Sequence, residues 1–285
     1  MSIIFYSVLV LVLTGVIAAV ILFFVAKKFN VIEDPRIDVV CEILPGANCG
    51  GCGFAGCRAL AEKIVNDNSL DNLFCPVGGK DIMQQVASYM NLEAEETQPK
   101  VAVVRCFGGK ENTKQRVRYE GVRDCLYADM TFSSEGGCPN ACLALGSCVK
   151  VCPFDAIRMD ETTSLPKIDE DKCVACGICE KTCPRKVIEI RNKGIKNRKV
   201  FVGCVNKEKG ALAKKNCEVS CIGCGKCQKA CSFDAIVVEN NLAYIDYNKC
   251  KLCRKCVNEC PTGAIKEMNF PPKKENTQVE IKEIA

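Results

Sequence analysis

The chain has 285 residues, of which 25 are cysteine and none is histidine or tryptophan. The missing histidine excludes Rieske-type ligation, histidine-ligated haem and histidine proton relays within this chain. Lysine and arginine outnumber aspartate and glutamate by 39 to 34, a formal charge of +5, and this small surplus excludes little by itself because ionised, metal-bound cysteines reverse it.

From Ile3 to Ala26 an apolar run is interrupted only by Ser7, Thr14 and Gly15. As a helix it spans roughly 36 Å, enough to cross a hydrocarbon core of about 30 Å with some tilt. Lys27 and Lys28 follow at once and no lysine or arginine precedes the run. Residues 1–28 are therefore expected to be a single-pass anchor in contact with membrane lipid. By the positive-inside rule its N-terminus lies outside the cell membrane and the rest of the chain in the cytoplasm. The rival is a cleaved signal peptide, which would carry a basic start and a shorter apolar stretch of about 7–15 residues.

Residues 29–95 follow as a small, mainly helical domain. Lys28–Arg36 connects to Leu44-Pro45-Gly46-Ala47-Asn48-Cys49-Gly50-Gly51-Cys52-Gly53-Phe54-Ala55-Gly56-Cys57, and Cys75-Pro76 comes later. Cys49, Cys52, Cys57 and Cys75 have a spacing suited to one [4Fe–4S] cluster, with glycines that let the backbone wrap tightly and aim N–H groups at sulfur. Arg58–Val65 and Asp81–Leu92 have helical periodicity. Gly51-x-Gly53-x-x-Gly56 matches a dinucleotide fingerprint in form only, since a cysteine sits inside it and no βαβ unit surrounds it. Gly78-Gly79-Lys80 and Gly108-Gly109-Lys110 lack the rest of a phosphate loop and are expected to be turns.

Ala94–Pro99 reads as a linker, and residues 96–135 as a connecting stretch holding a short buried strand, Val101–Val104, followed by Cys106. The clearest metal-binding pattern then appears. Cys173-x-x-Cys176-x-x-Cys179-x-x-x-Cys183-Pro184 recurs as Cys250-x-x-Cys253-x-x-Cys256-x-x-x-Cys260-Pro261. In this bacterial-ferredoxin pattern three thiolates hold one cluster and the fourth holds its neighbour. Residues 136–195 form a first ferredoxin-like module with an irregular opening motif, Cys138-x3-Cys142-x5-Cys148-x3-Cys152-Pro153. Crossed ligation predicts one cluster on Cys138, Cys142, Cys148 and Cys183, and another on Cys152, Cys173, Cys176 and Cys179.

After a connector at 196–216, residues 217–269 repeat the plan: Cys152-Pro-Phe-Asp-Ala-Ile returns as Cys231-Ser-Phe-Asp-Ala-Ile, the mark of a duplicated fold. Here Cys221, Cys224, Cys227 and Cys260 are expected to hold one cluster, and Cys231, Cys250, Cys253 and Cys256 another. Residues 270–285 read as a solvated tail. The class expected for the whole is α+β: one transmembrane helix, a small helical cluster domain, and two tandem 2[4Fe–4S] modules.

Five [4Fe–4S] clusters follow from this count. Each oxidised cube with its four thiolates carries about −2, which moves the holoprotein to about −5 and removes the case for nucleic acid as a partner. Disulfides fit poorly, because the cysteine count is odd and gaps of two or three residues rarely close. Zinc is the better rival for isolated C-x2-C pairs, but paired four-cysteine runs ending in Cys-Pro favour iron and sulfide. Cys41, Cys106, Cys125, Cys204 and Cys217 are left over. Cys106 and Cys204 each follow a strand-like run and each is trailed by another cysteine, so small buried thiols packing the sheets are the expectation and a sixth site on Cys106, Cys125, Cys204 and Cys217 is the alternative.

The order of anchor, four-cysteine domain and ferredoxin modules resembles the Rnf complex's B-type iron–sulfur component over nearly the whole chain. Leu44–Gly53 joined to an N-terminal membrane helix is its most specific part, and two modules instead of one resemble the longer form found in anaerobic bacteria. The resemblance implies an electron-transfer subunit of an ion-translocating ferredoxin:NAD+ oxidoreductase. It would take electrons from soluble reduced ferredoxin and pass them to membrane and flavin-bearing partner subunits, with export of Na+ or H+. The same wire run in reverse, or serving another low-potential acceptor, is the alternative. The residues themselves favour a relay, since no substrate-pocket motif or dinucleotide fold is visible. The membrane helix has no Asp, Glu, Lys or Arg to mark an ion path.

Overall fold

The computed structural model describes residues 2–28, 34–93 and 98–271. Most of the expected linker at Ala94–Pro99, part of the connector after Lys28 and the expected tail beyond Pro271 lie outside them. Helix α1 (Ser2–Lys28) ends on Lys27 and Lys28, and its stretch Ile4–Val25 is long and apolar enough to cross a membrane, with none of it buried against the protein.

A helical domain comes next, made of α2 (Pro35–Ile43), α3 (Cys57–Asp67) and α4 (Gly79–Met90). Asp34 caps α2 by accepting the Arg36 N–H at 2.9 Å, and Pro35 occupies the first turn, where its missing N–H costs nothing. The chain leaves α3 and α4 through left-handed Asn68 and Asn91, asparagine being tolerant of that conformation. Buried residues recur at helical spacing, Leu60, Ala61, Ile64 and Val65 on α3 and Met83, Val86, Ala87 and Met90 on α4, in one core with Ile37 and Val40 of α2, the helix that packs on both. Helix α3 contains the segment Arg58–Val65 predicted from periodicity, whereas α4 covers Asp81–Met90 of the predicted Asp81–Leu92 and stops at left-handed Asn91.

The remainder holds two similar units. In the first, β1 (Lys100–Val104) and, later, β4 (Ile188–Asn192) pair antiparallel, from Lys100 opposite Asn192 to Val104 opposite Ile188. Between them lie α5 (Cys125–Thr131), α6 (Ser147–Lys150), the paired strands β2 (Ile157–Met159) and β3 (Pro166–Ile168), and α7 (Ile178–Thr182). In the second, β5 (Lys199–Val202) and β8 (Ile265–Met268) pair around α8 (Gly210–Asn216), α9 (Lys226–Ala230), the paired β6 (Ile236–Glu239) and β7 (Leu242–Ile245), and α10 (Lys255–Glu259). Strand β1 lies in the stretch expected to be a linker and β5 in the expected connector. Each instead supplies one strand of a unit's outer sheet.

Both strands are buried on two faces, and the period of two explains how. Ala102 of β1 faces the first unit's core, whereas Val101 and Val103 point the other way and meet Phe201 of β5. Val200 and Val202 of β5 face the second unit's core. The two outer sheets thus pack against each other through Val101, Val103 and Phe201. Beside them Arg191 is buried: its Nη1 donates to Val200 O at 3.3 Å and its Nη2 to Ile245 O. Its guanidinium also lies over the rings of Tyr247, at 5.1 Å, and Tyr244, at 5.5 Å.

Candidate metal centres

Short glycine-led helices aim the third cysteine of each motif. Gly146, Gly177 and Gly225 adopt left-handed backbone just before α6, α7 and α9, which brings Cys148, Cys179 and Cys227 into the first turn of each. Before α10 the same conformation falls on Arg254, φ 66°. Its guanidinium is held there by Glu267, at 2.5 Å, and the Phe270 ring, at 4.8 Å from the centroid.

In the helical domain Cys57 begins α3, and its N–H donates to Asn48 Oδ1 at 2.9 Å, which ties the cysteine loop to the helix. Cys75 lies buried before α4 and accepts the Gly78 N–H at 3.4 Å. Burial pushes its thiol up, against the N–H groups of Gly78 and Val77, and Cys57 and Cys52 add to the rise as charged neighbours. The loop packs on the first unit: a Cβ on Gly51 would stand 2.8 Å from Cys176 O. This close approach makes Cys49 an electrostatic neighbour of Cys176.

Four cavities of similar size are each lined by four cysteines. One has Cys152, Cys173, Cys176 and Cys179 in its wall, and another has Cys221, Cys224, Cys227 and Cys260. Both are sets read from the sequence. Cys231, Cys250, Cys253 and Cys256, likewise, are close neighbours: burial pushes Cys256 up to about 12, and Cys250, Cys253 and Cys231 add to the rise.

The remaining two cavities correct the sequence reading. One is lined by Cys125, Cys142, Cys148 and Cys183, so Cys125 stands where Cys138 was expected. Cys138 lines the other, with Cys106, Cys204 and Cys217. A turn between the two cysteines separates them. Ala141 N–H returns to Cys138 O at 3.3 Å, and the chain reaches left-handed Ala144 just after Cys142. Cys125 is delivered from α5: its N–H donates to Ser147 Oγ at 2.8 Å, and the Ser147 hydroxyl donates to Asp124 Oδ2 at 3.1 Å.

A signal for this swap exists in the sequence. The offset that carries Cys152 onto Cys231 also carries Cys142 onto Cys221, Cys148 onto Cys227 and Cys138 onto Cys217, while Leu145 falls on Cys224. The first unit lacks that ligand position and Cys125 stands in for it in space.

Burial raises most of these thiols. Cys138 is pushed up to about 12 and Cys148 to about 11, in both cases first by desolvation. Cys260 differs: burial pushes it up, but the N–H groups of Ile265, Thr262 and Ala264 and the Thr262 hydroxyl together hold it below the ordinary thiol value. Such N–H groups around sulfur also stabilise a metal-bound thiolate.

These sets suit a polynuclear centre better than a single ion. Among the described residues no three His, Cys, Asp or Glu side chains converge closely enough to hold one metal ion, as tetrahedral zinc with Zn–S bonds of about 2.3 Å requires. Four thiols lining one cavity instead match an iron–sulfur cube, whose four irons each take one thiolate.

Comparison with known proteins agrees with this chemistry. Residues 44–76 match a family model described as a putative Fe-S cluster, and residues 137–187 and 220–272 each match a 4Fe-4S dicluster domain. The chain is 46% identical over 259 residues to the B component of the proton-translocating ferredoxin:NAD(+) oxidoreductase complex of Clostridium ljungdahlii, covering 90% of each chain. It is 44% identical over 251 residues to the Na(+)-translocating counterpart of Acetobacterium woodii, covering 88% of this chain and 74% of that one. It is also 41% identical over 264 residues to the B component of an ion-translocating oxidoreductase complex of Methanosarcina acetivorans, covering 93% and 98%.

Proposed function

We propose, from the premise that the chain belongs to the B-component family of ion-translocating ferredoxin:NAD+ oxidoreductase (Rnf) complexes, a specific path for the electrons that it carries. The chain is an iron–sulfur electron-transfer subunit of such a complex. In our reading it takes electrons from reduced soluble ferredoxin and delivers them to membrane and flavin-bearing partner subunits. It is anchored by α1 with the N-terminus outside and its cysteine-bearing domains in the cytoplasm. Five [4Fe–4S] sites serve this: Cys49, Cys52, Cys57 and Cys75; Cys125, Cys142, Cys148 and Cys183; Cys152, Cys173, Cys176 and Cys179; Cys221, Cys224, Cys227 and Cys260; Cys231, Cys250, Cys253 and Cys256. When bound, each cube stores and releases one electron at low potential.

The protein's own part is spacing and order. The observation that carries the reading is that thiol sets lie side by side up to the junction and again beyond it: Cys49 neighbours Cys176 and Cys179 neighbours Cys148 on one side, and Cys227 neighbours Cys256 on the other. The two modules are packed together through Val101, Val103 and Phe201. The domain nearest the anchor therefore sits at one end of the series and the second module, with exposed Cys224 and Cys253, at the other. Ion movement belongs to the partners. Relatives of nearly equal identity come from complexes named for Na+ and for protons, and the stretch Ile4–Val25 has no ionisable Asp, Glu, Lys or Arg.

Cys52→Ala tests the path. It is expected to remove about four irons and to slow ferredoxin-dependent NAD+ reduction by the assembled complex, with the other clusters intact. Unchanged reduction in a complex that has lost those irons would place the anchor-proximal site off the path.

A further inference from the structure

The cavity shared by Cys106, Cys138, Cys204 and Cys217 lies between the two modules, and none of the expected clusters occupies it. We infer that these four thiols hold a further [4Fe–4S] cluster at the junction, two ligands coming from each module. The nature of the occupant rests on the iron–sulfur reading above; the membership of the four thiols does not.

The junction is built twice over. Cys106 follows β1 and Cys204 follows β5, two strands already packed back to back through Val101, Val103 and Phe201. Cys138 and Cys217 are related by the offset that relates the modules' other ligands. The surroundings repeat as well. Cys142 N–H donates to Cys106 Sγ at 3.4 Å, and the N–H of its counterpart Cys221 is directed at Cys204. The N–H two residues on points back at each sulfur, from Gly108, Asn140, Asn206 and Val219. Sulfur ringed in this way by backbone donors is the environment that stabilises metal-bound thiolate.

Packing alone does not account for it. Thiols that merely fill a core close on one another, yet these four line a cavity of the same kind as those lined by the other three four-cysteine sets. The backbone is also drawn close, a Cβ on Gly108 falling 3.0 Å from Cys217 Sγ. Further bonds lock the two modules around the site: Phe107 N–H donates to Gly203 O at 3.3 Å and Glu218 N–H to Asn112 O at 2.9 Å.

Loading involves no change of oxidation state. Four S–H bonds break and four Fe–S bonds form to a preassembled cube delivered on thiolates, whose four Fe–S bonds break in exchange; the departing thiolates take up the four protons, and the oxidised site carries about −2. The position is the gap in the series described above. Cys106 neighbours Cys183 on one side, and Cys221 neighbours Cys204 on the other.

The test is iron and acid-labile sulfide on the anaerobically purified full chain, with Mössbauer spectra of the same sample. About 24 irons per chain, all in [4Fe–4S] centres, are expected, against about 20 for five cubes. Cys204→Ala and Cys138→Ala are each expected to lose about four irons, and the double variant still only about four, because both remove the same cube. Cys125→Ala combined with Cys204→Ala loses about eight, and Cys41→Ala loses none. About 20 irons in the unaltered protein, with or without one zinc, overturns the junction site and leaves the relay standing. Full retention by Cys204→Ala, or additive losses from Cys138→Ala and Cys204→Ala, overturns it as well. Little iron and sulfide in the unaltered protein sinks the iron–sulfur reading itself. The Mössbauer count needs no variant to fold.

Discussion

Leu145 and Ser147 together show how a missing ligand is replaced. Leu145 occupies the place of Cys224 in the repeat, so the second thiol of that set has to arrive from elsewhere. Asp124 caps α5 by accepting the Leu126 N–H at 2.8 Å, and the Ser147 hydroxyl joins the cap to the cysteine by accepting the Cys125 N–H. Ser147 is 5% exposed, so Ser147→Ala leaves a half-buried N–H without its acceptor, at a cost of about 1–3 kcal/mol. The cube on Cys125 is then expected to be the first lost to a chelator, while Ser147→Thr retains it. Iron release followed over time in the two variants checks this; equal release would mean that Ser147 does not position Cys125. Along the chain, Cys138-x3-Cys142 resembles a stretched ferredoxin motif, and nothing in its spacing shows that a turn sends the two thiols to opposite sides. The regular motifs were legible because three ligands lie within one short loop. The replaced ligand was not, because α5 is brought to it by tertiary packing.

Strands β1 and β5 raise the same issue one level up. Val101–Val104 was legible as a strand from its run of β-branched residues, but its partner β4 begins at Ile188, and local pattern carries no trace of so distant a pairing. The stretch therefore read as a linker. Burial on both faces was the available clue, since a strand apolar at consecutive positions needs cover on two sides. Phe201 bears most of that cover, at 1% exposure between the two sheets. Phe201→Ala is expected to destabilise the holoprotein by about 3–5 kcal/mol, and Phe201→Leu by distinctly less, measured by denaturant unfolding under anaerobic conditions. A loss under about 1 kcal/mol for Phe201→Ala would mean that the modules hold together without this contact.

At the scale of the whole molecule the anchor and the redox domains are separable, and the energies say how firmly the anchor holds. Sixteen Leu, Ile, Val and Phe side chains lie between Ile4 and Val25. At about −0.3 to −0.6 kcal/mol each they favour insertion by roughly 5–10 kcal/mol. One central aspartate costs about 2.5–3.5 kcal/mol, so Val16→Asp alone is expected to leave the protein in the membrane fraction. Three such changes, at Val12, Val16 and Val20, cost about as much as the whole stretch gains, and the chain should then fractionate as soluble. Because Ile4–Val25 buries nothing against the rest of the protein, the triple variant is expected to keep its full iron content while losing electron delivery to the membrane partners. Iron lost in step with membrane attachment would show that the anchor takes part in holding the cubes. Membrane attachment that survived all three aspartates would mean that partner subunits, rather than α1, fix the chain in place.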